Sequence, residues 1–313
     1  MRRFVLALGS LVISTAALAA PQFINVLTGG TSGVYYPLGV GLTQIYGKAL
    51  PEAKTSVQAT KASVENLNLL QEGKGEVAFA LGDSVSDAWK GNTEAGFKAP
   101  LKKLRAIAGI YSNYIQIIAR TDAGIKTLAD LKGKRVSVGA AKSGTELNTR
   151  EILAAAGLSY KDMGKVEYLG YAESVELLKN RQLDATLQSS GLNAAFVKDL
   201  AASMDITLVA IPEDVAKKIP DAAYQPAVIP KGTYPKQDAD VPTVAIRNLL
   251  VTSEAVPEDV VYKMTRAMFE NLPQLAAAHS AAKNIDRATA TEGLPIPLHP
   301  GAERYYKEVG VLK

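Results

Sequence analysis

The chain has no cysteine, two histidines and one tryptophan among its 313 residues. Without cysteine there is no disulfide, thiolate metal site or thiol nucleophile. His279 and His299 both come late. Neither has metal-ligand spacing with another His or Cys, so no metal and no cofactor is expected. No G-x-S-x-G elbow or G-x-x-x-x-G-K-[ST] loop occurs, so hydrolases and nucleotide-binding proteins lack their motifs. Beyond the first twenty residues no apolar run approaches the ~18 residues that span a bilayer. A strong excess of one charge is also missing: the formal net charge is +4, which does not suggest nucleic-acid binding.

The amino terminus reads as a secretory signal. A charged Met1-Arg-Arg3 precedes a mostly apolar Phe4–Leu18 and the small-x-small site Ala17-Leu18-Ala19, the pattern of a cleaved signal peptide. Cleavage is expected after Ala19, because cleavage after Ala20 would leave Pro21 first. Loss of Arg2 and Arg3 lowers Lys+Arg from 35 to 33 against 31 acidic residues, a net charge of about +2. The expected product is an exported, periplasmic protein. Lacking disulfides, it must rely on a large core, which its length permits.

Two short turns stand out: Thr28-Gly-Gly-Thr-Ser-Gly33 and Gly139-Ala-Ala-Lys-Ser-Gly-Thr145. Each follows a β-type apolar run and opens an amphipathic helical run. Such a turn sets unpaired backbone N–H groups and small hydroxyls at a helix N-terminus, which favours an anion. Two of them, each leading its own α/β segment, suggest an anion held between two lobes.

Strand-like and helix-like runs alternate from Phe23 to Leu200, the pattern of βα units and mostly parallel sheets. Leu104–Ile110 and Ile115–Ala119 read as two strands separated by Tyr111-Ser-Asn-Tyr114. From Pro212 the texture becomes irregular and partly extended, punctuated by Pro220, Pro226, Pro230, Pro235 and Pro242. Pro257–Leu272 reads as a helix with Pro in its first turn. The expected division is a signal peptide at 1–19, lobe 1 at 20–115 plus 212–313, and lobe 2 at 116–211. A chain that crosses over and returns makes a hinge of more than one strand, able to close around a ligand.

Six stretches together resemble the TAXI family, the substrate-binding proteins of tripartite ATP-independent periplasmic (TRAP) transporters. They are Gly29-Gly-Thr-Ser-Gly-Val-Tyr-Tyr-Pro37, Ser63-Val-Glu-Asn-Leu67, Asp130-Leu-Lys-Gly-Lys134, Ser143-Gly-Thr-Glu146, Pro257-Glu-Asp-Val-Val261 and Pro295-Ile-Pro-Leu-His-Pro-Gly-Ala302. The resemblance implies an α/β, type II periplasmic-binding-protein fold with a cleft between two lobes. It further implies capture of a small carboxylate (a C4/C5 dicarboxylate, an oxoacid or a glutamate-like amino acid) and handover to a TRAP permease by a monomeric, non-enzymatic receptor. Departures from the family pattern fall at Val85, at Thr60-Lys61-Ala62 and at Asn113-Tyr114, in loops expected to face the cleft. An exported sensor for a membrane signalling partner and a cleft enzyme are the alternative readings.

The candidate ligand residues follow from these positions. Thr31, Ser32 and Tyr35 open the first helix, and Ser143, Gly144 and Thr145 open its counterpart. Helix capping alone accounts for Thr or Ser at such places; the resemblance favours binding. Lys61, with Thr60 and Ser63 at the next helix start, is expected to meet a second carboxylate as a point charge. Asp83 and Ser84 follow a strand at the carboxyl edge of the sheet, where ligands bind in open α/β folds. Asp83 would pair with a ligand amine, pair with Lys61, or cap its helix. Tyr111, Tyr171 and Gln188 occupy equivalent connections as side-wall contacts or packed residues.

Overall fold

The computed structural model describes residues 22–313; the signal peptide and its cleavage site lie outside the described residues. The amino-terminal part runs β1 (Phe23–Leu27), α1 (Tyr35–Ala49), β2 (Lys54–Gln58), α2 (Ser63–Gln71), β3 (Val77–Leu81), α3 (Gly82–Lys90) and β4 (Leu104–Arg120). Next come β5 (Arg135–Ser137), α4 (Gly144–Ala155), β6 (Lys165–Glu167), α5 (Tyr171–Lys179), β7 (Ala185–Ser190), α6 (Ala195–Ser203) and β8 (Ile206–Val209). The chain finishes with α7 (Glu213–Ala216), β9 (Gln225–Ile229), β10 (Val241–Ser253), α8 (Glu258–Glu270), α9 (Leu272–Ala278) and α10 (Pro300–Glu308).

The strands hydrogen-bond in the order β2-β1-β3-β10-β4-β7-β5-β6, with β8 also on β4 and β9 also on β10. The order is palindromic in kind. β2-β1-β3 and β6-β5-β7 are each parallel, and each is closed by one antiparallel long strand, β10 or β4. β4 and β10 then pair antiparallel with each other from Leu104–Ser253 to Tyr114–Ala245. This is the type II periplasmic-binding-protein fold, two α/β lobes joined through a multi-strand crossing with a cleft between them. Helices cover the inner strands of each sheet, and β7 is buried at every position, as expected of parallel strands covered on both faces. β3 (VAFAL) is buried at every position.

Two sequence expectations are corrected here. Tyr111-Ser-Asn-Tyr114 does not separate two strands: it lies inside β4, one strand of 17 residues. Its polar residues are held across the sheet, Asn113 donating to the Ser189 carbonyl (3.1 Å) and accepting from Asn248 Nδ2 (2.8 Å). The proline-punctuated segment likewise contains the 13-residue β10. Pro226 and Pro242 belong to the β9–β10 ribbon, an edge where a missing N–H is tolerated. Ala216, Tyr224, Val244 and Ile246 of this segment share one buried apolar cluster with Ile152, Leu153 and Leu187.

Asn248 is the polar pin of the crossing. It is fully buried, donates to the Tyr111 carbonyl (3.0 Å) and to Asn113 Oδ1, and accepts from the Tyr35 hydroxyl. It sits at an irregularity in the β4–β10 register, between Arg247 and Leu249. Removing its amide leaves several buried groups unpaired, each costing about 1–3 kcal/mol. Asn248→Ala is therefore expected to lower unfolding free energy by about 2–4 kcal/mol in urea titration.

Candidate functional site

A cavity of about 370 Å³ lies between the lobes. Its wall is built at the starts of four helices, two from each lobe. Gly33, Val34 and Tyr35 lead into α1, and Thr60, Lys61 and Ala62 into α2. Ser143 and Thr145 belong to the start of α4, Gly170 and Tyr171 to that of α5. The first-turn N–H groups of a helix have no intrahelical acceptor and carry the positive end of its dipole.

Each start is fixed by local chemistry. The Gly33 N–H donates to the Gly30 carbonyl (3.0 Å), closing the turn before α1, where no side chain caps the helix. Asn66, fully buried on α2, donates to the carbonyls of Thr28 (2.7 Å) and Phe79 (2.8 Å) and accepts from the Thr60 hydroxyl (2.6 Å). It thereby ties the ends of β1 and β3 to the Thr60 loop. Ala62 adopts φ 68°, a region an L-residue enters at a cost. On the other side Ser143 Oγ accepts the Glu146 N–H (3.1 Å), and the Glu173 carboxylate accepts the Gly170 N–H (3.0 Å).

Two aromatic rings flank the cavity. Tyr35 stacks on Phe79 with ring centroids 4.9 Å apart, and Tyr171 stacks on Phe196 at 4.6 Å. The Tyr171 hydroxyl donates to the Ser189 carbonyl (2.7 Å). Burial pushes the Tyr171 phenol up to about 12 and that of Tyr35 well above its ordinary value, so both stay neutral donors near pH 7. The only charged side chains on the wall among the described residues are Lys61 and Glu173, both exposed at the rim.

Of the residues singled out in the sequence, Tyr35, Thr60, Lys61, Ser143, Thr145, Tyr171 and Gln188 line the cavity. The others stand elsewhere. Thr31 is exposed and Ser32 half-buried, both off the wall, because Gly29, Gly30 and Gly33 bring backbone there instead. Ser63 is buried and accepts the Leu81 N–H (3.1 Å). Tyr111 is buried with its hydroxyl unpartnered. Gly144 and Gly33 are contact points between the lobes. A Cβ on Gly144 would lie 2.7 Å from both Leu81 Cδ1 and Ser63 Oγ, and one on Gly33 would lie 2.6 Å from Tyr171 Cε2.

Asp83 and Ser84 lie behind the wall. Asp83 accepts from the Ser84 N–H (2.6 Å), Asn148 Nδ2 (2.6 Å) and the Tyr224 hydroxyl (2.8 Å). It makes no pair with Lys61; it joins α3 to α4 and to Tyr224 just before β9. Burial pushes its carboxyl up to about 6, against the pull of the Tyr224 and Ser84 hydrogen bonds. Asn113, expected to face the cleft, lines it, whereas Ser190 and the Tyr168–Gly170 stretch are wall residues that sequence reasoning missed. Glu173, three residues after Gly170, was the available signal for the last. The two histidines are helix caps: the Nδ1 atoms of His279 and His299 accept the N–H groups of Ala281 and Gly301, both at 3.1 Å.

The sequence profile of the NMT1-like family matches residues 26–310. The chain belongs to the NMT1-like family. This overturns the resemblance to TAXI proteins, and with it the TRAP permease as the expected partner. The motifs that carried that resemblance have local structural work in this NMT1-like chain. Asp130 forms a capping box with Thr127, Ser143 and His299 cap helices, and Pro257 precedes α8. Such features recur wherever the same turns are needed, so they report the fold more than the lineage.

Among solved structures, PhnD1 from Prochlorococcus marinus in complex with methylphosphonate is similar, with a TM-score of 0.59 and 12% identity over 94% of this chain and 100% of that one. A protein from Bordetella bronchiseptica RB50 matches at 0.51 and 16%, covering 92% of this chain and 98% of that one. A mutant of ArgBP from T. maritima matches at 0.50 and 11%, covering 83% and 93%. These likenesses establish the fold. Among the described residues no helix is long and apolar enough to cross a membrane.

Two outcomes follow from this geometry. Gly144→Ala should prop the lobes apart, raising the radius of gyration in solution scattering. Gly47→Ala, whose Cβ meets nothing closer than 3.4 Å, should leave it unchanged. Because the Asp83 carboxyl titrates near 6 when folded and near 4 when unfolded, the folded state holds the extra proton between these values. Its contribution to stability then falls as pH rises from about 4 to 6, by up to about 1.4 kcal/mol per pH unit. The difference between wild type and Asp83→Asn in melting temperature across this range checks it.

Proposed function

We propose that this chain is a periplasmic receptor that captures a small organic acid between its lobes and presents it to a membrane transporter. The observation that carries the reading is the meeting of four helix N-termini, from both lobes, on one cavity. Backbone N–H groups there can take an anion without a buried counter-cation. The hydroxyls of Ser143 and Thr145, which donate to no protein acceptor, supply neutral donors to the same space. The polar wall offers hydrogen bonds, and Ser143 is engaged as a helix cap, which favours capture over chemistry. The periplasmic location rests on the signal-like start of the sequence.

The lobes divide, in this reading, where β4 and β10 cross near Asn113 and Arg247. Residues 213–224 then move with the second lobe, because Ala216, Ile219 and Tyr224 share a buried cluster with Ile152, Leu153 and Leu187. A ligand touching both lobes stabilises the closed form by its differential affinity for that form. The transporter senses closure. Lys61, exposed at the rim, selects acids that carry a second anionic group.

A thermal-shift and calorimetry screen over small carboxylates, sulfonates, phosphonates, amino acids and neutral sugars tests this. An acid at 100 to 1,000 times its Kd should add about 3–4 kcal/mol of stability. A shift with neutral sugars alone would overturn the anion reading. Lys61→Ala should weaken dicarboxylates several-fold more than monocarboxylates; an equal loss removes the role given to Lys61.

A further inference from the structure

Among the described residues three tyrosines line the cavity, and two of them already stack on a protein ring: Tyr35 on Phe79 and Tyr171 on Phe196. Tyr168 differs. It lines the same cavity from the loop between β6 and α5, yet it is 48% exposed. Of the large apolar side chains exposed among the described residues, Phe23, Tyr168 and Val228, it alone lies on the wall. Its ring is held in place all the same. Tyr160 meets it in a T-shaped contact with centroids 6.1 Å apart, and such a contact takes at most one of its faces. The Tyr160 hydroxyl donates to Glu146 Oε1 (2.8 Å), and Arg150 grips the same carboxylate through two N–H groups, each at 2.7 Å. A positioned ring with an open face thus stands at the rim of the cavity.

We propose that the captured acid carries an aromatic ring, which lies against Tyr168 while its anionic group meets the helix starts. The inference rests on the anion reading above and deepens it by naming the body of the ligand. The size of the cavity supports it. About 370 Å³ falls within the roughly 300–1,000 Å³ of pockets that enclose ring-bearing ligands, and a short aliphatic acid would leave much of it unfilled. The wall chemistry points the same way. Alongside its polar groups it presents Val34, Ala62, Ala140, Ala141 and Leu169. A short acid leaves these and the Tyr168 face against water, whereas a ring covers them and gains by burial. An aromatic ring gains further from the tyrosine quadrupole in an offset or edge-on arrangement, which a saturated ring of the same size lacks.

Isothermal titration of the full mature protein separates the ring from the charge. The aromatic acids are benzoate, phenylacetate and 3-phenylpropionate, each matched with its cyclohexyl counterpart and its primary amide. Propionate, succinate and glutarate stand for acids without a ring. The best aromatic acid should bind about tenfold or more tighter than any ringless acid, and about threefold tighter than its cyclohexyl counterpart. Tyr168→Ala should weaken that acid about tenfold while moving the best ringless acid by less than about twofold. Tyr168→Phe keeps the ring and should keep the preference. Tyr168→Leu, which keeps the bulk should Tyr168→Ala fail to fold, should erase the margin over the cyclohexyl acid. A ringless or cyclohexyl acid binding best, or an equal loss across all acids in Tyr168→Ala, overturns the inference and leaves the anion reading intact. Amides binding as tightly as their acids, or no acid of any kind binding, removes the anion reading and this inference with it.

Discussion

Everything in this molecule hangs on the antiparallel pairing of two long strands, β4 and β10. Each closes the parallel sheet of one lobe and runs on toward the other. Because their hydrogen bonds are shared, the lobes cannot separate without breaking a buried ladder, yet they can pivot about it. The pairing is not uniform. Register irregularities fall beside Arg247 and between Leu250 and Val251, and Asn248 stitches the first of them to Tyr111, Asn113 and Tyr35. Bulges of this kind bend a strand and raise its twist, which suits a crossing that must carry two sheets at an angle.

From that crossing the site follows. In a parallel βα sheet the helices start at the carboxyl ends of the strands, and the palindromic strand order turns the carboxyl ends of both sheets toward each other. Four helix starts therefore share one cavity. The fit between the lobes is set by small residues: Gly33 lies under the Tyr171 ring, and Gly144 lies against Leu81 and Ser63. The Asp83–Asn148–Tyr224 cluster adds a buried polar contact beside them. Among the described residues the wall carries no buried charge, so neutral hydrogen-bonding groups and helix starts are what it offers.

Much of this was legible in the chain. The turns before α1 and α4 could be placed because Gly, Ser and Thr after an apolar β-run have few other uses. Tyr35, Thr60, Lys61, Ser143, Thr145, Tyr171 and Gln188 were reached by asking which residues follow a strand. The same reasoning misplaced Thr31 and Ser32, since glycine backbone, having no side chain to advertise, forms the wall there. It read Tyr111–Tyr114 as a break between two strands because Ser and Asn are turn formers locally. Their partners, Ser189 and Asn248, are far away in sequence. Capping motifs also suggested the wrong family, as local helix-start chemistry is shared across lineages that use the same turns.

The sequence by itself determined the α/β class, the absence of thiol chemistry and of metal-ligand motifs, and the helix starts with hydroxyl and glycine groups. These are properties of composition and short-range periodicity. Only the tertiary structure decided which helix starts meet and that Asp83 turns away from the cavity into a contact between lobes. Each of these depends on a pairing between residues distant in the chain, fixed when β4 and β10 align, and no local pattern records it.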